Sequence, residues 1–385
     1  MATEITSETL GKFSSTNDVV AYYSDAATAL NGNSTIIVTG SNTGIGKQTA
    51  VALAKLGGII ILGCRNIEKG QNARNDILNK LNVNGSMNNV HFIQLDLGSL
   101  SSISSFVKEF NHKTQKENWP PLTHLICNAG LFPMTNTISF NNNITGMENT
   151  FAISHLGHYY LTKLLLPNLR RTNANGGNNR NNATRVIMVS SGSHYGPLLT
   201  KDMTSKKEVL EKIVYPSSTL TSVSKKKNMG GMGDDDNTTN NNKYSGTKCY
   251  GSSKLCNAIF AKALYEREKD NNIHCASLHP GSLIATDIAR DNFFANLAFK
   301  YIISWFTKTI DQGCSTTLAC CLMPVEQLKG QYFDDCQVKN PGKMVYNKKA
   351  GDVLWEISEE ILTNVGFGSE SNLNRQSSLK MSSNL

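Results

Sequence analysis

The chain predicts an α/β fold, a doubly wound parallel sheet forming a single domain with insertions. Three observations predict it. Short β-branched runs stand at 35–39, 59–64, 90–95, 122–128, 185–191 and 273–278, with helical patterns between them at 46–56, 67–81, 100–112, 147–169 and 250–269. Strands alternating with helices imply βαβ units, whose right-handed crossovers cover both faces of a parallel sheet. The runs are almost wholly apolar, as strands buried on both faces must be. A glycine cluster closes the first run and opens the first helical pattern.

The 385 residues suit one such domain over 34–365, behind a polar lead-in at 1–33 with one short helix around 18–30. Low-complexity insertions near 172–182 and 201–248 lack apolar content, most of all in the later half of the second. A Ser/Asn-rich tail at 366–385 reads as disordered. The formal charge of +8 is scattered, and the lysine runs at 206–207 and 225–227 read as solvated loop, so no nucleic-acid partner is expected. Nine cysteines without a C-x-x-C pair, and a start with neither basic nor apolar character, point to reduced thiols in an intracellular, cytoplasmic chain. No stretch approaches the roughly 18 apolar residues of a membrane span. The segment 293–306 reads as an amphipathic helix that covers an apolar substrate pocket, with peripheral membrane contact as the alternative.

Each element then carries its own chemistry. The first strand runs into Gly40-Ser41-Asn42-Thr43-Gly44-Ile45-Gly46-Lys47. Glycines there let the backbone turn tightly and approach a pyrophosphate, and the helix that follows offers free N–H groups and a positive dipole end. An ordinary glycine turn is the bland alternative. The second strand ends at Arg65, with no acid until Glu68. A carboxylate at this point accepts hydrogen bonds from an NAD ribose, whereas Arg suits the extra phosphate of NADP; Lys47 adds a second cation. After the third strand, Asp96-Leu97 either reaches an adenine edge or caps the next helix. After the fourth, Asn128-Ala129-Gly130 lets the backbone pass beside a cofactor, with Asn128 tying neighbouring strands.

The most specific signal is Tyr250-Gly251-Ser252-Ser253-Lys254. Tyr and Lys at i and i+4 project from one helical face. A phenol of pKa about 10 is a poor base, and a nearby ammonium is expected to lower it, making proton exchange with an alkoxide feasible. Alone, such a pair is more often a surface pair. It gains weight from the preceding strand, which ends at Ser191, a hydroxyl able to share charge on a substrate oxygen. His279-Pro280-Gly281 follows the next strand, a turn beside a nicotinamide with His279 in a packing role. His155 and His158 lie three apart without a third ligand, so packing is expected and no metal.

In this order TGSNTGIG, NAG, Ser191, YGSSK and HPG resemble the short-chain dehydrogenase/reductases over roughly 34–365. GCRN, SHLGHYYLTKLLLP, SKLCN, SWFTKTIDQG, GQYFDDC and LWEISEEI look like the branch holding the retinol dehydrogenases and the oxidoreductase domain of the WW-domain-containing oxidoreductases. The only tryptophans are Trp119, Trp305 and Trp355, so no paired-tryptophan WW module is expected. The resemblance implies a Rossmann-type sheet in the order 3-2-1-4-5-6-7. It implies Tyr250 as proton donor and acceptor, Lys254 as its electrostatic helper and Ser191 as substrate-oxygen partner. Gly40–Gly46, Arg65, Asp96 and Asn128 would hold NADP(H). The apolar segment 293–306 points to a small, lipophilic substrate such as a retinoid, steroid or fatty aldehyde, and the resemblance implies pairing of two copies through the long helices at 147–169 and 250–269. Ser154 stands where the family usually has an Asn that completes a proton relay through water. The shorter hydroxyl, and the insertion between Ser191 and Tyr250, leave a second reading open: an NADP-binding interaction protein of little activity.

Overall fold

The computed structural model describes residues 9–81, 88–133, 140–141, 144, 146–175, 183–196, 198–216, 245–281 and 308–367. Seven strands run parallel: β1 (Thr35–Thr39), β2 (Ile59–Cys64), β3 (Val90–Gln94), β4 (Leu122–Cys127), β5 (Thr184–Val189), β6 (Ile273–His279) and β7 (Gln331–Asp334). A short β8 (Gln337–Lys339) pairs antiparallel with β7 at the edge. The order is β3-β2-β1-β4-β5-β6-β7-β8, the expected order with one further edge strand. The chain reverses direction between β1 and β4, the switch point outside whose carboxyl ends open α/β sheets bind ligands.

Alternation of side chains along the strands divides the interior in two. Ile37, Ile61 and Leu125 face one apolar cluster, and Ile36, Val38, Ile60, Leu62 and Ile126 face the other. The second is covered by α1 (Thr16–Tyr22), α2 (Ser24–Ala29), α3 (Gly44–Lys55), α4 (Ile67–Leu81) and α8 (Ile310–Leu322). The first is covered by α5 (Leu100–Lys116), α6 (Gly157–Asn175), α7 (Gly246–Glu268) and α9 (Lys348–Asn364).

Four expectations need correction. The lead-in is part of the core: Leu10, Val19, Ala27 and Leu30 are buried, and Thr16 donates its N–H and hydroxyl to Asp311 at 3.0 and 2.7 Å. Its helix is two, broken at Tyr23, where φ −111° and ψ 42° leave the helical region. The pattern at 147–169 is not one helix. Met147–Glu148 is a strand, Glu148 Oε2 accepts the Phe151 N–H at 2.7 Å, and Ala152–Leu156 is a π turn before α6. A π turn adds a residue to the helical repeat and so turns Ser154 and His155 off the simple 3.6 register. Lastly, the start of the second insertion packs. Met203, in a turn, is buried, as are Val209, Ile213 and Val214, a helical apolar face that the nearby lysines mask in composition. Residues 217–244, 176–182 and 293–306, and the tail from 368, lie outside the described residues. Among the described residues, no helix is long and apolar enough to cross a membrane.

Candidate active site

The site grows from the carboxyl ends of β1, β4, β5 and β6. Gly40 follows β1 with φ +64°, and a Cβ there would stand 2.9 Å from Ala129 Cα. Gly46, in the first turn of α3, is packed harder: a Cβ would meet Asn128 Nδ2 at 2.4 Å and the Gly40 carbonyl at 2.6 Å. Thr43, in extended backbone, is the N-cap of α3, and its side chain makes no cap hydrogen bond to that helix. Ser41 is buried, its hydroxyl donating to the Val38 carbonyl at 2.9 Å. Asn42 and Ile45 are half-buried beside it.

A polar strut locks this loop to β4. Asn128 Nδ2 donates to the Thr39 carbonyl at 2.9 Å, and Thr39 Oγ1 accepts the N–H groups of Asn128 and Ala129 at 2.9 and 3.0 Å. Thr39 Oγ1 also lies 2.9 Å from His158 Nε2, and His158 Nδ1 lies 2.9 Å from the Ser154 carbonyl. A carbonyl only accepts, which assigns the proton to Nδ1 and makes Nε2 the acceptor of the Thr39 hydroxyl. Thr39 and His158 were invisible as site residues in the sequence, because a strand-end Thr and a helical His meet only in the folded chain.

Three buried histidines depend on staying neutral. Burial holds His124 and His155 down to about 3 and His158 down to about 4. Below the ordinary value of about 6.5 the unfolded chain takes up protons that the folded chain refuses. Their contribution is therefore complete above that value. It drains away as pH falls toward about 4, at roughly 1.4 kcal/mol per pH unit for each histidine. Thermal melts from pH 8 to 5 should show Tm falling steeply below pH 6.5, and a flat Tm down to pH 5 would contradict this account.

The reactive cluster sits on α7. Lys254 is 2% exposed, and its Nζ donates to the Val189 carbonyl at 2.9 Å and lies 5.6 Å from the Tyr250 ring centre. Burial pushes its pKa down to about 8. The Tyr250 phenol moves the other way from expectation: burial raises it, and the neighbouring Ser191 hydroxyl lowers it only in part. The amine does not win because, with its own pKa at about 8, it has lost its charge before the phenol ionises. Ser191, whose Oγ donates to Ser193 Oγ at 3.2 Å, is near enough to act on the Tyr250 phenol, so the intervening insertion separates the two in sequence alone. Phe132 packs edge-on against Tyr250 at 5.0 Å, a wall the sequence reading missed although it stands two residues after Gly130. Ser154 is fully buried, its Oγ accepting the Leu131 N–H at 3.2 Å, and a Cβ on Gly130 would stand 2.9 Å from Lys254 Nζ.

Other expected residues are placed less simply. Lys47 pairs with Asp76 at 2.7 Å, so it is engaged by α4 rather than held ready as a second cation for a phosphate. Arg65 is exposed at the end of β2. Asp96 Oδ1 accepts the Gly98 N–H at 2.9 Å, and the cap of α5 is Ser99, accepting from Ser102 N at 3.3 Å. The Leu97 side chain is buried in the core, leaving only its backbone for a ligand. Pro280 and Gly281 are buried after β6; Gly281 has φ +119° and backs onto Lys308. His279 is 7% exposed and pushed down to about 4 by burial, a packing role. His155 bonds Ser358 Oγ at 3.2 Å inside an aromatic cluster.

Sheet order, switch point and glycine-lined crevice together define a Rossmann-type α/β domain. Comparison with known proteins narrows the class. The short chain dehydrogenase family model matches residues 34–201. The chain is 33% identical over 328 residues to the WW domain-containing oxidoreductase of Gallus gallus, a match spanning 85% of this chain and 67% of that protein. It is 29% identical over 329 residues to retinol dehydrogenase 12 of Mus musculus, spanning 85% of each. The solved NADPH-bound carbonyl reductase from chicken fatty liver superposes with a TM-score of 0.51 at 19% identity, over 80% of this chain and 99% of that one, a likeness of fold. The chain belongs to the short-chain dehydrogenase family, oxidoreductases that use nicotinamide cofactors on small-molecule substrates.

Proposed function

We propose that the protein interconverts a carbonyl and an alcohol with NADP(H), using Tyr250 as acid and base. The observation that carries this reading is the cluster on α7, where the buried Lys254 Nζ lies 5.6 Å from the Tyr250 ring centre, beside the glycine-lined crevice and with Ser191 near enough to act on the phenol. The crevice suits a dinucleotide: a Cβ would fill the space at Gly40 and Gly46, and the start of α3 lacks a side-chain cap. Gly40–Gly46 would hold the pyrophosphate, Asp96, Leu97 and Asn128–Gly130 the adenosine side, and Lys254, Pro280 and Gly281 the nicotinamide half. Arg65, exposed at the end of β2 with no acid beside it, supports NADP(H) over NAD(H).

When bound, the nicotinamide supplies or accepts a hydride. The chain's residues manage the proton and the oxygen. Ser191 Oγ and the Tyr250 hydroxyl converge on the place where a substrate oxygen gains negative charge. The raised phenol keeps its proton at neutral pH, the form needed to protonate an alkoxide, which favours reduction. Lys254, held by the Val189 carbonyl, has further N–H groups for ribose hydroxyls and a charge that stabilises the phenolate left behind. Phe132 makes the wall over Tyr250 apolar and suits a lipophilic substrate. A relative named for retinol lends that substrate class support.

The second reading, a cofactor-binding interaction protein, is favoured by Ser154, whose oxygen is already occupied by the Leu131 N–H. NADPH oxidation with a panel of aldehydes and ketones separates the two: turnover of any of them supports the enzyme, and NADPH binding with a wholly inert panel supports the binder. Cofactor choice has its own test. Arg65→Glu puts a carboxylate where a phosphate would sit and removes a charge-assisted contact of about 1.5–3 kcal/mol. NADPH affinity is expected to fall by roughly 10–100-fold at about 1.4 kcal/mol per tenfold, while NADH affinity holds or improves. Equal losses for both cofactors in a fluorescence titration would remove Arg65 from that role.

A further inference from the structure

The opposite edge of the sheet, where the strands begin, holds a cavity of about 510 Å³. Arg185, at the start of β5, lines it and is 9% exposed. Its Nη2 donates to the Met323 carbonyl at 2.8 Å and Nη1 to the Ala183 carbonyl at 3.4 Å, while Nε has no partner. Among the described residues no carboxylate forms an ion pair with it, and the acidic residues on the lining, Asp25 and Glu326, are exposed at the rim. His124 beside it is no second cation. Its Nε2 bonds the Cys321 carbonyl at 3.1 Å, its Nδ1 lies 2.8 Å from Thr123 Oγ1, and burial holds it down to about 3. A buried charge held by carbonyl dipoles, with the Glu326 carboxylate acting on it only from the rim, is costly, and an anion brought to it recovers much of that cost.

The outer wall is aromatic. Tyr22 and Tyr23 meet edge-to-face at 4.9 Å, and Tyr22 is 54% exposed. Both belong to the lead-in, ahead of the segment that the family model matches. One cation set among carbonyls suits a single negative charge. Asp25 and Glu326 at the mouth oppose a dianion such as phosphate. We propose that this cavity binds a small aromatic monocarboxylate, its carboxylate on Arg185 and its ring against Tyr22 and Tyr23. The crevice begins about six residues along the same strand, roughly 20 Å away at the usual rise, so the two sites are separate.

The test is calorimetric titration of the full chain with benzoate, phenylacetate and 3-phenylpropionate, with their amides as uncharged partners and inorganic phosphate as a dianion. At least one acid is expected to bind ten times more tightly than its amide and than phosphate, without displacing NADPH. Arg185→Met should abolish the preference for acid over amide. Ala29→Trp, which fills the cavity mouth and leaves the guanidinium intact, should weaken the acid at least tenfold and serves if Arg185→Met does not fold. Equal binding of acid and amide, tighter binding of phosphate, an acid affinity untouched by Ala29→Trp, or no binding of any acid overturns the proposal. None of these results bears on the chemistry at Tyr250.

Discussion

Tyr250→Phe is expected to lower kcat by about 10²–10⁴-fold, the usual worth of a positioned general acid. The substitution removes one oxygen and leaves the ring, so the contact with Phe132 at 5.0 Å persists and NADPH affinity should be unchanged. The pH profile adds a second readout. Burial raises the phenol and pushes Lys254 down to about 8. Reduction should therefore hold at neutral pH and decline on the alkaline side, where Lys254 loses the charge that steadies the phenolate. Steady-state kinetics across pH 6–10 measures both. A Tyr250→Phe enzyme with wild-type kcat would end the acid/base assignment, whatever the cofactor does.

Gly46→Val is expected to have the largest effect on the binding half of the site. Its Cβ would stand 2.4 Å from Asn128 Nδ2 and 2.6 Å from the Gly40 carbonyl. Neither neighbour yields easily, because Asn128 is held by Thr39 and the carbonyl is backbone. Overpacking of this kind costs about 1–3 kcal/mol of stability. The larger loss is functional: moving the start of α3 takes its N–H groups and dipole off a pyrophosphate, an interaction of up to about 2 kcal/mol. NADPH affinity should fall by more than about tenfold at roughly 1.4 kcal/mol per tenfold. Titration of NADPH fluorescence alongside a melt of the cofactor-free chain separates the two losses. A variant that melts lower but binds NADPH as wild type does would place the dinucleotide elsewhere.

Much of the fold was legible in the chain itself. β1 and β2 stand at the residues the apolar runs marked, because a strand covered on both faces is built mainly of apolar side chains. The glycines between β1 and α3 and the Tyr-x-x-x-Lys on α7 were legible for a similar reason. Each is a local rule, a turn that forbids a Cβ or two side chains one helical turn apart, and local rules are written in adjacent residues. Where the reading failed, composition misled it: lysines at 206–207 hid the apolar face of Val209 and Ile213, and the polar start hid the burial of Val19 and Leu30.

What the sequence determined alone, then, was the alternation of strands and helices, the sheet order through its family motifs, and which residues are candidates for the chemistry. Only the tertiary structure decided how those groups behave. It engaged Lys47 with Asp76, raised the Tyr250 phenol instead of lowering it, tied Thr39 to His158, and left Arg185 without an ion pair among the described residues, on a cavity at the far edge. The reason is physical: spacing along a chain fixes which side chains share a local face, whereas desolvation and partner choice depend on residues brought together from distant segments.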